Sequence, residues 1–234
     1  AANSYTFTLI VRNSTTGCSG TQSFTVTVLA PPSGLSYPTP NVYTRNTPIT
    51  NLNPTVTGSV VSYSVSPALP ANLALNTNTG VISGTPTVIS AQTTYTVTAT
   101  NSVGSTNTGV SIKVNDVPPI GLSYPSPNIF TRSTPINSLS PTVSGGTVTS
   151  YTVSPNLPSG LMIDPVTGII SGTPSAVSVP ATYTVTATNS GGSASTGISI
   201  RVNDIAPSGL SYPTPNVFTR NTTINSLSPT VTGT

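Results

Sequence analysis

Apolar and polar residues alternate with a period of two along much of the chain. In Tyr95–Thr100 (YTVTAT) the tyrosine, valine and alanine share one face and the threonines share the other, and Tyr183–Thr188 repeats this sequence. Gly109–Val114 (GVSIKV) alternates in the same way. The period is typical of antiparallel strands with one buried face. No stretch has a sustained helical period, and the 24 prolines oppose helix, so the pattern predicts an all-β protein.

Residues that favour turns separate the predicted strands. Within Leu73–Pro86 (LALNTNTGVISGTP) two short strands flank the loop Asn76–Gly80, and the second strand lies at Val81–Ser83. The glycine that ends this loop can take the positive φ that a short hairpin needs. Asn101–Thr106 and Asn189–Ala194 have the composition of a hairpin turn. About seven short strands in roughly 87 residues predict a β-sandwich of immunoglobulin-like type.

One stretch of sequence occurs three times. GLSYPTPNVYTRNTPI at Gly34–Ile49 returns as GLSYPSPNIFTRSTPI at Gly121–Ile136 and as GLSYPTPNVFTRNTTI at Gly209–Ile224. A fixed period of about 88 residues indicates a tandem array of small domains rather than solenoid turns. We therefore predict the closing part of a divergent repeat at residues 1–33, complete repeats at 34–120 and 121–208, and the opening part of a further repeat at 209–234.

The junctions between repeats are short and contain proline. Asn115–Gly121 (NDVPPIG) joins the two complete repeats, and Asn203–Gly209 (NDIAPSG) follows the second with one proline fewer. Proline fixes φ, so such a junction has few free torsions. Stiff junctions predict that the sandwiches follow one another as an extended string, with the second junction slightly looser.

The most distinctive motif lies in the middle of each complete repeat. Leu69–Pro86 (LPANLALNTNTGVISGTP) and Leu157–Pro174 (LPSGLMIDPVTGIISGTP) are each followed by a YTVTATNS segment. They resemble the immunoglobulin-like tandem repeat of bacterial surface proteins, whose pattern is LPxGLxxxxxTGxISGTP followed by a YxVTATN strand. The first copy departs from it at Asn72, where the second has Gly160. The resemblance implies an immunoglobulin-like fold in a large exported, extracellular adhesin or cell-surface protein.

The amino-acid composition lacks most of the side chains that enzymes use for catalysis. Charged residues make up only 4% of the chain, against about 25% in an average protein, and histidine and glutamate are absent. Without histidine there is no imidazole general base or metal ligand. The three aspartates, Asp116, Asp164 and Asp204, offer single carboxylates rather than the pair of a glycosidase. We predict no enzyme activity, no cofactor and no metal site.

Composition also bears on partners. Arginine recurs once per repeat without forming the basic stripe that nucleic acid needs, so no nucleic-acid partner is predicted. No apolar run approaches the roughly 18 residues of a membrane span. Each junction has only Asp116 or Asp204, too few carboxylates for calcium. These aspartates fit a turn cap or a partner for Lys113 or Arg201 better. Cys18 is the single cysteine, and its partner, if any, is not apparent.

Two functions from different classes fit these observations. The first is a structural stalk or spacer in a long bacterial cell-surface adhesin or extracellular fibre, whose partners are the neighbouring repeats and, through a head domain outside this sequence, a glycan or matrix ligand. The alternative is a multivalent weak binding module for glycan or matrix, or lateral assembly of several copies into a filament. The recurring YPxPN segment with its nearby arginine is the candidate binding surface: Tyr37, Arg45, Tyr124, Arg132, Tyr212 and Arg220. Its plainer interpretation is an edge strand whose prolines block sheet-to-sheet pairing.

Overall fold

A computed structural model describes residues 3–232 of the chain. Strands, turns and loops account for all of them, with no helix in this range, so the all-β prediction is confirmed. It follows that no helix here could span a membrane. The chain divides into two compact units, one ending at Val117 and the other beginning at Pro118. The bounds predicted for the four sequence segments stay predictions.

The first unit contains an isolated hairpin followed by one complete repeat. Its strands are β1 Asn3–Arg12, β2 Ser19–Val28, β3 Ser33–Ser36, β4 Asn41–Thr44, β5 Thr55–Thr57, β6 Ser62–Ser66, β7 Leu73–Leu75, β8 Ile82–Gly84, β9 Ser90–Thr100 and β10 Ser105–Asn115. Among residues 3–232, β1 and β2 form a two-stranded sheet with each other alone. In the repeat, a four-stranded sheet of order β4-β10-β9-β6 is accompanied by the strand pairs β3–β5 and β7–β8.

The second unit repeats this topology and adds one short strand pair. Its strands are β11 Ile120–Ser123, β12 Asn128–Thr131, β13 Thr142–Ser144, β14 Ser150–Ser154, β15 Leu161–Ile163, β16 Ile170–Gly172, β17 Ser178–Asn189, β18 Gly192–Asn203, β19 Ser208–Ser211 and β20 Thr230–Thr232. The large sheet has the order β12-β18-β17-β14, and β11–β13 and β15–β16 form the smaller pairs. β19 pairs with β20.

The alternating stretches pair antiparallel as predicted, and each repeat has in addition one parallel strand pair that the sequence did not specify. β4 lies beside β10 in parallel register, from Asn41 opposite Ile112 to Thr44 opposite Asn115, and β12 lies beside β18 in the same way. The sequence did not specify the direction of this strand because a four-residue strand carries little register signal of its own. Each repeat also has eight strands rather than about seven. The prolines of the YPxPN segment precede β4 and β12, both edge strands, where proline is tolerated.

The predicted buried faces form the core of each sandwich. Tyr95, Val97 and Ala99 are at most 5% exposed, while the threonines between them face outward or lie at the surface. Ile82 on β8 and Ile170 on β16 belong to the short strand pairs that accompany the large sheets, and both are fully buried. The alternation therefore predicted the core correctly, because a strand between an interior and solvent has side chains on both faces in turn.

Asparagine and aspartate form the loops between the paired short strands. Asn76 Oδ1 accepts hydrogen bonds from the backbone N–H groups of Asn78 and Thr79, at 2.9 and 3.0 Å. In the second repeat Asp164 occupies the same place, and the backbone amides of Thr167 and Val166 hold the pKa of its carboxyl below the usual value. Side chains of this type cap the turn locally, so the loop is stable without burial.

Candidate functional site

The recurring YPxPN segment leads into the edge strand of the large sheet. In the first repeat it spans Tyr37–Asn41, with Tyr37 half-buried, Pro38 and Pro40 exposed, and Asn41 only 4% exposed at the start of β4. The segment therefore presents prolines to solvent while its two polar ends point inward. The equivalent tyrosine and asparagine in the second repeat are Tyr124 and Asn128, with the same burial.

The tyrosine that begins each YPxPN segment forms a hydrogen bond to a distant loop of its own repeat. The Tyr37 hydroxyl donates a 2.6 Å hydrogen bond to the backbone oxygen of Gly80, and the Tyr124 hydroxyl donates a bond of the same length to that of Gly168. Both glycines are buried and end the loop between the paired short strands. Burial raises the pKa of Tyr37 to about 12, with a smaller contribution from Tyr63. These tyrosines are committed to internal contacts.

We expect stability to fall as pH rises from 10 to 12. The pKa of Tyr124 is also raised to about 12, from 10.0 for an ordinary tyrosine, so the folded state retains protons that the unfolded state releases in this window. The contribution is complete below pH 10 and is lost as pH passes 12. Replacing Tyr37 and Tyr124 with phenylalanine should cost about 1–2 kcal/mol per repeat at pH 7 and flatten the alkaline limb. Urea unfolding across pH 7–12 measures both, and an unchanged alkaline limb in the double variant would refute the assignment.

The arginine that follows the edge strand of each complete repeat forms an ion pair with the aspartate after the last strand. Arg45 lies just after β4, and its Nη2 is 2.8 Å from Asp116 Oδ1. Its backbone N–H also donates to the oxygen of Asn115. For this aspartate the sequence left two roles open, a turn cap or a partner for Lys113. Its Oδ1 accepts a 2.7 Å hydrogen bond from the backbone N–H of Val117, as a cap does. The cation beside it is Arg45, which the parallel strands bring next to the end of β10.

The other candidates differ in surroundings. Arg132 Nη2 is 2.9 Å from Asp204 Oδ1, but this aspartate is 50% exposed, against 6% for Asp116. Tyr212 and Arg220 lie in the segment that follows the second repeat, and both are exposed. The structure thus places the first four sequence candidates in internal contacts and leaves the last pair at the surface.

An asparagine at the start of the edge strand is satisfied in one repeat and not in the other. Asn41 Nδ2 donates to the backbone oxygen of Ser111, and its Oδ1 accepts from the Tyr43 hydroxyl, both at 3.3 Å. The second repeat has Phe130 in place of this tyrosine. Asn128 Oδ1 is buried and meets no donor among residues 3–232. A buried acceptor without a partner costs stability.

A reciprocal exchange tests this difference. Phe130→Tyr should stabilise the second repeat by about 1 kcal/mol, because the added hydroxyl reaches the vacant Asn128 oxygen. Tyr43→Phe should destabilise the first repeat by a similar amount for the opposite reason. Denaturant unfolding followed by hydrogen exchange reports each repeat separately. Equal shifts of the same sign in both variants would contradict the explanation, since the ring itself is unchanged.

A shallow groove on the solvent face of the large sheet occurs in both complete repeats. We call it the edge groove. In the first repeat it measures about 240 Å³ and is lined by Thr39, Pro40, Asn41, Val42, Gln92, Ser111 and Lys113. In the second it measures about 350 Å³ and is lined by Ser126, Pro127, Asn128, Ile129, Pro180, Ser199 and Arg201. A cation therefore occupies the same position in each groove, as lysine in one repeat and arginine in the other.

A match to a protein-family model identifies the family of this chain. A family model described as "Putative Ig domain" matches residues 31–115 and again residues 118–203. The chain belongs to this immunoglobulin-domain family. The two matches are consecutive and cover both sandwiches, so the immunoglobulin-like resemblance of the central motif is confirmed. Among curated proteins none matches the chain.

Solved structures with several immunoglobulin-like domains resemble this member of the family. Titin domains I67–I69 in an E-to-A variant are 16% identical, with a TM-score of 0.47, covering 86% of this chain and 75% of theirs. The N-terminal eight Ig domains of Down Syndrome Cell Adhesion Molecule are 16% identical, with a TM-score of 0.48 and coverages of 85% and 28%. Extracellular domains 3–5 of Drosophila OTK are 15% identical, with a TM-score of 0.48 and coverages of 79% and 70%.

In this immunoglobulin-domain chain two cations face an open surface, and the sequence pattern did not single them out as candidate binding residues. Lys113 and Arg201 line the edge grooves, and neither belongs to the two ion pairs found in the described part of the chain. Their signal was a positive charge kept at equivalent positions although the residue type changed. No group of three histidine, cysteine, aspartate or glutamate side chains comes together within residues 3–232.

Proposed function

We propose that these immunoglobulin-like repeats are load-bearing stalk or spacer segments of a bacterial cell-surface adhesin or extracellular fibre. Their immediate partners are the neighbouring repeats of the same chain. A glycan or matrix ligand would be held by a head domain outside this sequence. One observation carries the proposal: the strand near the start of each repeat lies parallel to the strand at its end.

Parallel terminal strands oppose tension by shear. When the two ends of a repeat are pulled apart, β4 is drawn one way and β10 the other, along their common axis. Their backbone hydrogen bonds then bear the load together rather than one after another. We call the paired edges of β4 and β10 the seam of the repeat. The Arg45–Asp116 ion pair lies just beyond the paired residues and adds a charged contact to this seam. The seam recurs at β12 and β18, with Arg132 and Asp204.

Single-molecule pulling tests the proposal. We attach handles at the two chain ends after replacing Cys18. We then expect two unfolding steps of equal length, each releasing roughly 300 Å of extended chain for one repeat. In a second geometry the first repeat is pulled by handles on β6 and β10. The sheet should then unzip from the β6 edge at a clearly lower force than in the end-to-end geometry. Forced unfolding reports the unfolding rate, which is the quantity a stalk needs to keep low. Equal forces along the two directions would refute a load-bearing seam.

A multivalent binding module is the second candidate, favoured by the repetition of the edge groove. Each groove combines one cation with hydroxyl and proline side chains and has room for about one sugar unit. This suits a saccharide that bears carboxylates, bound weakly at each repeat and strengthened by avidity. Titration with an oligogalacturonate should saturate at millimolar concentration and weaken in Lys113→Gln and Arg201→Gln, but not in Arg12→Gln. Equal binding of a neutral oligosaccharide would oppose it.

A further inference from the structure

The side-chain amide of Asn101 makes four hydrogen bonds although the residue sits in a hairpin turn. It follows β9 directly and is only 7% exposed. Its Oδ1 accepts from the backbone N–H groups of Val103 and Gly104, at 2.9 and 3.1 Å. Its Nδ2 donates to the backbone oxygens of Ala30 and Ser59, at 2.8 and 3.0 Å. The amide therefore uses both acceptor and both donor positions that are open to it.

Ala30 belongs to the connection by which the chain enters the first complete repeat. Residues 29–32 (LAPP) join β2 to β3. The prolines of this connection pass closely over two glycines: a Cβ on Gly104 would lie 3.0 Å from Pro31 Cβ, and one on Gly58 would lie 3.5 Å from Pro32 Cα. The connection is thus packed against the repeat as well as hydrogen-bonded to it.

We infer that Asn101 is a lock for the incoming connection, which fixes the backbone of residues 29–32 on the body of the repeat. The prolines alone cannot do this. They set their own φ and restrict the residue before them, but they leave the ψ angles and the position of the connection open. One amide side chain joins the connection, the loop after β5 and the last hairpin turn at a single buried point.

The second repeat has the capped turn and the overlying proline within its own unit. Asn189 is 7% exposed, and its Oδ1 accepts from the N–H groups of Gly191 and Gly192. Pro118 takes the place of Pro31. A Cβ on Gly145 would lie 2.3 Å from the Pro118 oxygen, and one on Gly192 would lie 3.3 Å from its Cβ. The capped turn and the overlying proline therefore recur in both complete repeats, and neither depends on whether the chain serves as a stalk.

The two halves of the amide can be separated by a change of one atom. In Asn101→Asp the carboxylate keeps its acceptors for Val103 and Gly104, so the turn survives. It loses both donors, and it then faces the oxygens of Ala30 and Ser59. Below the carboxyl pKa the protonated side chain regains one donor. The variant thus predicts a released connection at neutral pH and a partly restored one in acid.

Backbone relaxation of ¹⁵N-labelled full-length chain measures the outcome. In the wild type we expect order parameters of about 0.85 at Leu29 and Ala30. In Asn101→Asp at pH 7 these should fall below about 0.6, while β9 and β10 stay rigid. At pH 3 they should rise again in this variant, whereas Asn101→Ala should stay mobile at both pH values and the wild type rigid at both. Asn107→Ala, an exposed asparagine on β10, is the matched control.

Two results would overturn the inference. One is a connection that stays as rigid in Asn101→Asp and Asn101→Ala as in the wild type, which would leave the prolines as the whole cause. The other is mobility that appears in β9 and β10 to the same degree, which would make Asn101 an ordinary stabilising residue. Recovery in acid confined to Asn101→Asp supports the lock, because general destabilisation would not reverse.

Discussion

Gly172→Ala should destabilise the second repeat by at least about 3 kcal/mol. This glycine ends β16 with a φ of 127°, and a Cβ there would lie 2.1 Å from the backbone oxygen of Gly160. No side-chain rotation relieves a clash with backbone, so the strand pair β15–β16 must shift. Left-handed strain and steric overlap add, which places the substitution among the most damaging single changes.

Gly197→Ala is the matched control in the same unit. Its added Cβ would meet the Cγ2 of Thr182 at 3.1 Å, and that side chain can rotate away. We expect a change below about 1 kcal/mol. Hydrogen exchange under denaturant separates the units, because peptides from β14 and β17 report the second repeat and those from β6 and β9 serve as an internal reference. Comparable losses for the two substitutions would show that the close approach at Gly172 is unimportant.

The same contact explains the most distinctive motif of the family. A Cβ on Gly84 would likewise lie 2.1 Å from a backbone oxygen, that of Asn72. Gly84 directly follows the strand predicted at Val81–Ser83, and the sequence pattern gave no reason for glycine at this position. It also marked Asn72 as a departure from Gly160. Both residues have a positive φ, 65° and 90°, and asparagine tolerates this conformation better than most residues, so the departure leaves the turn intact.

The strands and their buried faces could be predicted because they depend on local order alone. Tyr95, Val97 and Ala99 are buried because every second residue of a half-buried strand faces the core. The seam between β4 and β10 could not, because it joins residues about 70 positions apart through a four-residue strand. Alternation within such a short segment does not specify its partner.

Recurrence alone does not identify a binding site. Tyr37 and Arg45 return in each repeat, but a side chain that completes the fold recurs as faithfully as one that binds a ligand. Tyr37 contacts Gly80 and Arg45 contacts Asp116. Only the three-dimensional contacts separate the two cases, by showing which polar groups are already used. Lys113 and Arg201 stood out less because their residue type changes.

Arg45→Met should cost the first repeat about 2–3 kcal/mol, whereas Arg132→Met should cost the second less than about 1 kcal/mol. The two ion pairs have nearly equal lengths but different burial. Removing Arg45 leaves the Asp116 carboxylate, 6% exposed, without its cation inside the protein. Asp204 is 50% exposed, so water can replace Arg132. Methionine keeps most of the apolar stem in both variants, which isolates the charge.

A double variant separates the ion pair from the rest of the seam. Arg45→Met combined with Asp116→Asn removes both charges and should recover part of the loss, since no buried negative charge is then left without its counter-charge. Hydrogen exchange of β4 and β10 measures the equilibrium cost, and end-to-end pulling measures the force. If the charge contributes to load bearing, Arg45→Met lowers the unfolding force of one repeat and leaves the other step unchanged. Equal costs for Arg45→Met and Arg132→Met would mean that burial of the aspartate does not govern the strength of this contact.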